Sequence, residues 1–293
     1  MRILITGGSG YLGRHLVPLA TGFAEDVVHT FYRNVPPRVP GARRLDVRDR
    51  EAVMDLVGSF APDVIIHAAG SSGRPKSMVE VIELGAEHVT AAAIESGARL
   101  IHLSTDVVFD GRRAPYVESD PPRPLHDYGR AKAQAEEIVT RRADHVIVRT
   151  SLIYGLQEMD HGTSWVVESL RRGEPVTLFV DQIRNPVWVV SLAEACLELA
   201  GMAYRGILHV AGAQALSRAQ FGRRMLDWWG VDDRATLSFG AGDGARWPAD
   251  CTLDISRAQG ILKTPLPGVD DVLRAYGFES GDDEETGTSR DEI

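Results

Sequence analysis

Ile3-Leu4-Ile5-Thr6-Gly7-Gly8-Ser9-Gly10-Tyr11-Leu12-Gly13 stands near the N-terminus. It reads as a strand, a tight turn and the start of a helix. Gly7 permits the turn, Gly10 lets the backbone approach a pyrophosphate, and Gly13 lets the helix pack closely on the strand. The helix N-terminus offers free N–H groups and a partial positive charge to phosphates. A glycine pattern gains weight when it follows a strand and opens a helix, as it does here. Gly7, Gly10, Tyr11, Leu12 and Gly13 are therefore candidates for holding a dinucleotide.

Working outward, short β-branched runs alternate with helical patterns. The runs predict strands at 3–6, 27–32, 64–68, 100–104 and 146–150, with helices near 11–20, 51–60, 79–96 and 128–142. This alternation predicts an α/β protein with a Rossmann-type, doubly wound parallel sheet. Apolar strands without alternation fit burial on both faces. After Tyr154-Gly155 the pattern turns irregular, as expected of a smaller mixed α/β C-terminal lobe that binds substrate. We expect the dinucleotide domain over residues 1–155, with 187–205 returning to it. Residues 156–186 and 206–278 then form the lobe.

Composition narrows the function class. The 293 residues are 44% hydrophobic and 25% charged, ordinary for a globular protein in water. No apolar run is long enough to cross a bilayer, and the start lacks a leader pattern, so a cytoplasmic protein without a membrane partner is expected. Residues 279–293 carry seven acids and one base, −6 of the net −9, and read as a disordered acidic tail. No basic stripe suggests nucleic acid. Cys196 and Cys251 have neither metal-type nor disulfide spacing, and no metal is expected.

The second strand bears on cofactor choice. An acid at its end would bind a ribose 2′-hydroxyl, and an arginine would accept a 2′-phosphate. Phe31-Tyr32-Arg33-Asn34 has no acid, so Arg33 favours NADP(H), with NAD(H) the second candidate; the alternative is a solvated loop arginine. Asp46 and Val47 are candidates for the adenine edge. Ala68, Ala69 and Gly70 are small residues where a cofactor must lie close.

Tyr128-Gly129-Arg130-Ala131-Lys132 sets a phenol and an ammonium four residues apart on one helix face. A free phenol titrates near ~10. A lysine beside it is expected to lower that value and let the pair move a proton at an oxygen while hydride moves at carbon. Thr105, at a strand end, is positioned either to orient the reacting oxygen or to cap the following turn.

These motifs resemble the extended short-chain dehydrogenase/reductases over about residues 1–277, and within them the dTDP-4-dehydrorhamnose reductase branch. The matching stretches are the glycine turn, Ser104-Thr105-Asp106-Val107-Val108-Phe109-Asp110-Gly111, and Tyr128 to Lys132 with Glu136. Arg149 to Gly155 and Asp181-Gln182 with Pro186 also match. The resemblance implies Thr105, Tyr128 and Lys132 as the catalytic set. It implies a 4-keto nucleotide-sugar substrate and hydride from NAD(P)H. It points to Asp106, Val107, Leu152 and Arg184 as substrate contacts. Val107 and Leu152 depart from the branch's tyrosine and tryptophan. Arg184 replaces a glycine, either to pair with a diphosphate or as a rim charge. An epimerase, a dehydratase or a non-catalytic dinucleotide-binding regulatory subunit are the other readings. A homodimer is the default for an oligomer.

Overall fold

Ile3, Leu4 and Ile5 are almost wholly buried in the computed structural model because their strand runs inside a parallel sheet. The structure describes residues 1–34, 40–70, 75–141 and 144–278; the expected acidic tail lies outside them. In chain order the first half comprises β1 (Arg2–Thr6), α1 (Tyr11–Phe23), β2 (Asp26–Phe31), β3 (Ala42–Arg44) and α2 (Arg50–Phe60). It continues with β4 (Val64–His67), α3 (Pro75–Ser96), β5 (Arg99–Thr105), α4 (Asp127–Thr140) and β6 (His145–Thr150). The second half has β7 (Ile153–Tyr154), α5 (His161–Arg171), β8 (Val176–Phe179), β9 (Ile183–Arg184), β10 (Val187–Trp188) and α6 (Val189–Ala200). β11 (Gly206–His209), β12 (Leu216–Ser217), α7 (Arg218–Trp228), β13 (Leu237–Gly240), α8 (Ser256–Ile261) and α9 (Val269–Ala275) follow.

The main sheet runs β11-β6-β5-β4-β1-β2-β3, all parallel. From β1 the chain winds outward through β2 and β3, then crosses to β4 and winds the other way. The reversal between β1 and β4 is the crevice where such sheets bind ligands. Leu12 and Leu16 of α1 and Leu192 and Cys196 of α6 fill the core on one face. Val53 and Val57 of α2, with Val89, Ala92 and Ala93 of α3, fill it on the other. Burying each large aliphatic side chain contributes about 1.5–3 kcal/mol.

β11 moves the expected domain boundary. Gly206 pairs with Val146 and His209 with Arg149, so residues 206–209 complete the main sheet rather than the lobe. β11 is the edge strand of the sheet, with Leu208 and His209 nonetheless inaccessible. The lobe instead uses short pairs that sequence pattern does not reveal: β9 with β12, β8 with β13, and β7 with β10. Cys196 and Cys251 are free and buried.

Candidate active site

The glycine turn is sterically fixed. Gly7 has φ +77°, and a Cβ there would stand 2.7 Å from the Ala69 backbone. A Cβ on Gly13 would stand 2.3 Å from Gly7 O, so α1 can meet the turn only through glycine. No side chain caps α1 at Gly10, which leaves its first-turn N–H groups available to an anion.

A groove of about 450 Å³ opens over this turn. Gly7, Gly10, Arg33, Asp46, Val47, Ala68, Ala69 and Gly70 all line it, and Tyr128 and Lys132 do not. Nor do Tyr11, Leu12 and Gly13. Leu12 packs into the core, Gly13 serves the helix–turn contact, and the Tyr11 hydroxyl donates to Glu158 O at 2.9 Å in the neighbouring cavity. At the groove's outer end, Arg33, Arg44 and Arg48 set their guanidiniums 5.5, 5.8 and 5.8 Å from the ring centre of exposed Tyr32. Asp46 accepts from Arg48 at 3.0 and 2.6 Å, and these bonds hold its carboxyl below the usual range. Arg48 also stands 3.7 Å from the Glu80 carboxylate, so two carboxylates, both paired with Arg48, face three arginines and, among the described residues, leave Arg33 and Arg44 as the uncompensated cations of this cluster. Arg44 and Arg48 were absent from the sequence reading, because their meeting with Tyr32 depends on β3 and the turn after it lying beside β2.

A second cavity, about 470 Å³, adjoins the groove at His161, which lines both. Thr105, Asp106 and Val107 enter it from the end of β5, Tyr128 from the start of α4, and Leu152 from the end of β6. Thr105 Oγ1 lies 3.4 Å from Val107 N and 3.2 Å from Asp106 Oδ1, so it caps the turn while lining the cavity. Asp106 also accepts from Ser151 Oγ at 2.6 Å. His126 caps α4, its Nδ1 accepting from Gly129 N at 3.1 Å, and its ring lies 4.6 Å from Trp247. Phe221 is an aromatic residue of the cavity that the sequence did not announce, and Trp247 joins it from Arg246-Trp247-Pro248, which resembles an Arg-Pro element of the family's substrate lobe. Trp247 reaches it from an irregular loop, which carries no periodic signal.

The electrostatics of the tyrosine–lysine pair differ from expectation. Burial pushes the Tyr128 phenol up to about 12, and the Asp106 carboxylate adds to this. Burial pulls Lys132 down to about 8 against the opposing effect of Glu136, and its Nζ donates to Leu103 O at 2.5 Å. The ammonium is thus engaged by the main chain of β5 and does not offset the phenol's desolvation. The phenol is held as a neutral donor.

The helix that carries both residues is tied to the sheet by a buried network. Arg149 of β6 meets Glu136 of α4 at 2.8 Å, and Ser104 Oγ donates to the same carboxylate at 2.5 Å. Arg149 is 1% exposed and Glu136 4%. Removing one partner would strand a charge in the interior.

Arg184 lines the cavity, but it is not a rim charge. It is buried, and its guanidinium donates to Ile183 O, Ala249 O and Pro248 O at 2.6–2.8 Å. Its Nε lies 3.7 Å from Asp106 Oδ2. His67 shares a 2.6 Å hydrogen bond with Thr6 Oγ1 inside the sheet, a structural role that its burial explains.

A sequence model of the RmlD substrate binding domain matches residues 1–276. The chain is 33% identical over 241 residues to a dTDP-4-keto-6-deoxy-D-glucose reductase of Streptomyces niveus, covering 79% of this chain and 80% of that one. It is 28% identical over 276 residues to methionine adenosyltransferase 2 subunit beta of Danio rerio, covering 88% and 84%. Among solved structures it resembles a dTDP-4-dehydrorhamnose reductase from Bacillus anthracis in complex with NADP. The TM-score there is 0.75 at 25% identity, covering 90% and 93% of the two chains. In the structure of this chain the nicotinamide-type groove and the tyrosine-bearing cavity adjoin at the sheet's C-terminal edge. The chain therefore belongs to the RmlD substrate binding domain family, the dTDP-4-dehydrorhamnose reductase-like branch of the extended short-chain dehydrogenase/reductases, and is an NAD(P)-dependent oxidoreductase.

Proposed function

We propose that this protein reduces the 4-keto group of a nucleotide-linked 6-deoxy sugar, using NADPH in preference to NADH. The observation that carries the reading is the half-buried Tyr128 phenol, which desolvation keeps neutral and which lines one cavity with Thr105 beside the dinucleotide groove. A dinucleotide held by the glycine turn at Gly7 and Gly10 and by Ala68 to Gly70 would supply the hydride for the carbonyl carbon. The Tyr128 hydroxyl gives its proton to the carbonyl oxygen. A phenol that burial keeps protonated suits this direction of the reaction. Thr105 Oγ1 orients the same oxygen, and Asp106, itself fixed by Ser151, holds Thr105 in position. Lys132 lines neither the groove nor the cavity; by donating to Leu103 O it ties α4 to β5 and so holds Tyr128 in place.

The groove's residues fit a dinucleotide. The uncapped start of α1 is suited to a pyrophosphate, and Ala68 to Gly70 leave room for a flat ring. The arginines around Tyr32 support NADPH, because a 2′-phosphate would meet three guanidiniums and two carboxylates already paired with Arg48. Val107, Leu152 and Trp247, which line the same cavity, outline the space for the sugar. The test is turnover. Purified protein mixed with NADPH and a dTDP-4-keto-6-deoxy sugar should lose absorbance at the nicotinamide band. Absence of oxidation with dTDP- and UDP-linked keto sugars, despite NADPH binding, would refute the proposal.

A further inference from the structure

The α7 wall of the substrate cavity carries a cation that no described residue satisfies. Ser217 caps α7, its Oγ accepting from Gln220 N at 3.0 Å, while the Gln220 side chain accepts from Ser217 N at 2.9 Å. This capping box sets Arg218 at the first helical position. Arg218, Phe221, Gly222 and Met225 then recur at helical spacing on one face, and all four line the cavity. Among the described residues the Arg218 guanidinium has no hydrogen bond and no carboxylate within 4.0 Å.

Its surroundings make that vacancy informative. Arg184 has spent its donors on three main-chain carbonyls. Asp106 and Asp160 attract Arg218 from a distance, but both are engaged elsewhere. Asp106 accepts from Ser151, and Asp160 caps α5 through Gly162 N and Thr163 N. A half-buried guanidinium with five free donors, beside a second arginine, is a site for an anion with several acceptor oxygens. Gln182 lies beside Arg218, its main-chain oxygen accepting from Arg218 N at 2.9 Å, and Phe221 and Met225 follow on the same face of α7 with Leu178 of β8 packed against Gly222. A cation flanked by polar and apolar lining suits a charged ligand that also carries a ring.

We infer that Arg218 is the specificity-determining phosphate contact of this cavity, gripping the diphosphate of a nucleotide-linked substrate while Arg184 braces the loop behind it. The inference rests on the substrate class proposed above. Its test uses the full chain loaded with NADP⁺ and titrates dTDP and UDP by calorimetry, against Arg218→Met and Arg218→Lys. Wild type should bind at least one of the two diphosphates. R218M should bind it about 10- to 100-fold more weakly, the loss of charge-assisted hydrogen bonds. R218K should recover part of the affinity. NADPH affinity and melting temperature should not change, because Arg218 loses no partner. In turnover, R218M should raise KM far more than it lowers kcat.

Equal diphosphate affinity in wild type and R218M, or no binding of either diphosphate by wild type, would overturn the assignment. Failure of the reductase reading looks different. Wild type would then oxidise no NADPH with keto sugars, while the R218M loss of diphosphate binding would persist. Turnover by R218M at an unchanged KM would sink the inference and leave the reductase reading intact.

Discussion

Lowering the pH from 7 to 5 is expected to remove several kcal/mol of stability, because three histidines are buried as neutral side chains within the main sheet. His67 of β4, His102 of β5 and His209 of β11 are at most 2% exposed. Burial holds His67 and His209 down at about 3, with Lys132 adding to the effect at His67 and Arg149 at His209. His102 lies well below its ordinary value, again through burial first and Lys132 second. In the unfolded chain each titrates near ~6.5. The folded values are depressed, so between about 6.5 and the folded values the unfolded state binds more protons, and stability falls as pH falls. Each histidine contributes a slope of about 1.4 kcal/mol per pH unit, and the three together about 4. At pH 5 the accumulated loss is about 6 kcal/mol, against a typical total of about 5–15 kcal/mol. Urea unfolding followed by circular dichroism from pH 7.5 to 5 measures this above the range where carboxylates titrate. His102→Leu should flatten the slope by about a third, since neither ring nitrogen has a partner to lose. Equal stability at pH 7 and 5, or an unaltered slope in H102L, would refute the reasoning.

Other perturbations test single links. Arg149→Leu strands the Glu136 carboxylate and should cost about 3–5 kcal/mol in chemical unfolding, while the double variant E136L/R149L should recover most of it; a single variant within ~1 kcal/mol of wild type would deny the network its anchoring role. Arg33→Asp should weaken NADPH at least ~10-fold while leaving NADH nearly unchanged, and an unaltered ratio in fluorescence titration would remove Arg33 from phosphate recognition. Gly7→Ala must adopt φ +77° with its Cβ against the Ala69 backbone. It should lose more than ~1 kcal/mol of stability together with NADPH binding, and wild-type behaviour in both would show that the turn can relax.

The sheet was legible in the sequence because its signal is local. Continuous apolar runs such as Val64–His67 and the glycine turn each state their own structure, and the parallel sheet follows from their alternation with helices. The lobe was less legible, because β9, β12 and β13 are two to four residues long and exist only through pairing with distant partners. The same distinction governs the site. Tyr128 and Lys132 sit on one helix and announce themselves by spacing. The arginine cluster at Tyr32, the Trp247 wall and the Leu103 carbonyl that engages Lys132 are tertiary meetings with no sequence period. Arg184 shows the limit most clearly. Its charge suggested a ligand contact, yet burial and three main-chain carbonyls have already claimed its donors. Arg218 carried a faint signal, the capping box at Ser217 and Gln220, which fixes where the helix starts but not what its first residue faces.

Tyr128→Phe tests the central claim most directly, because it removes one hydroxyl from the cavity and nothing from the dinucleotide groove. NADPH affinity should stay within about twofold of wild type, while kcat for a keto-sugar substrate should fall about 10²- to 10⁴-fold, the usual contribution of a positioned proton donor. A Y128F protein that binds NADPH normally and turns over at the wild-type rate would contradict the account.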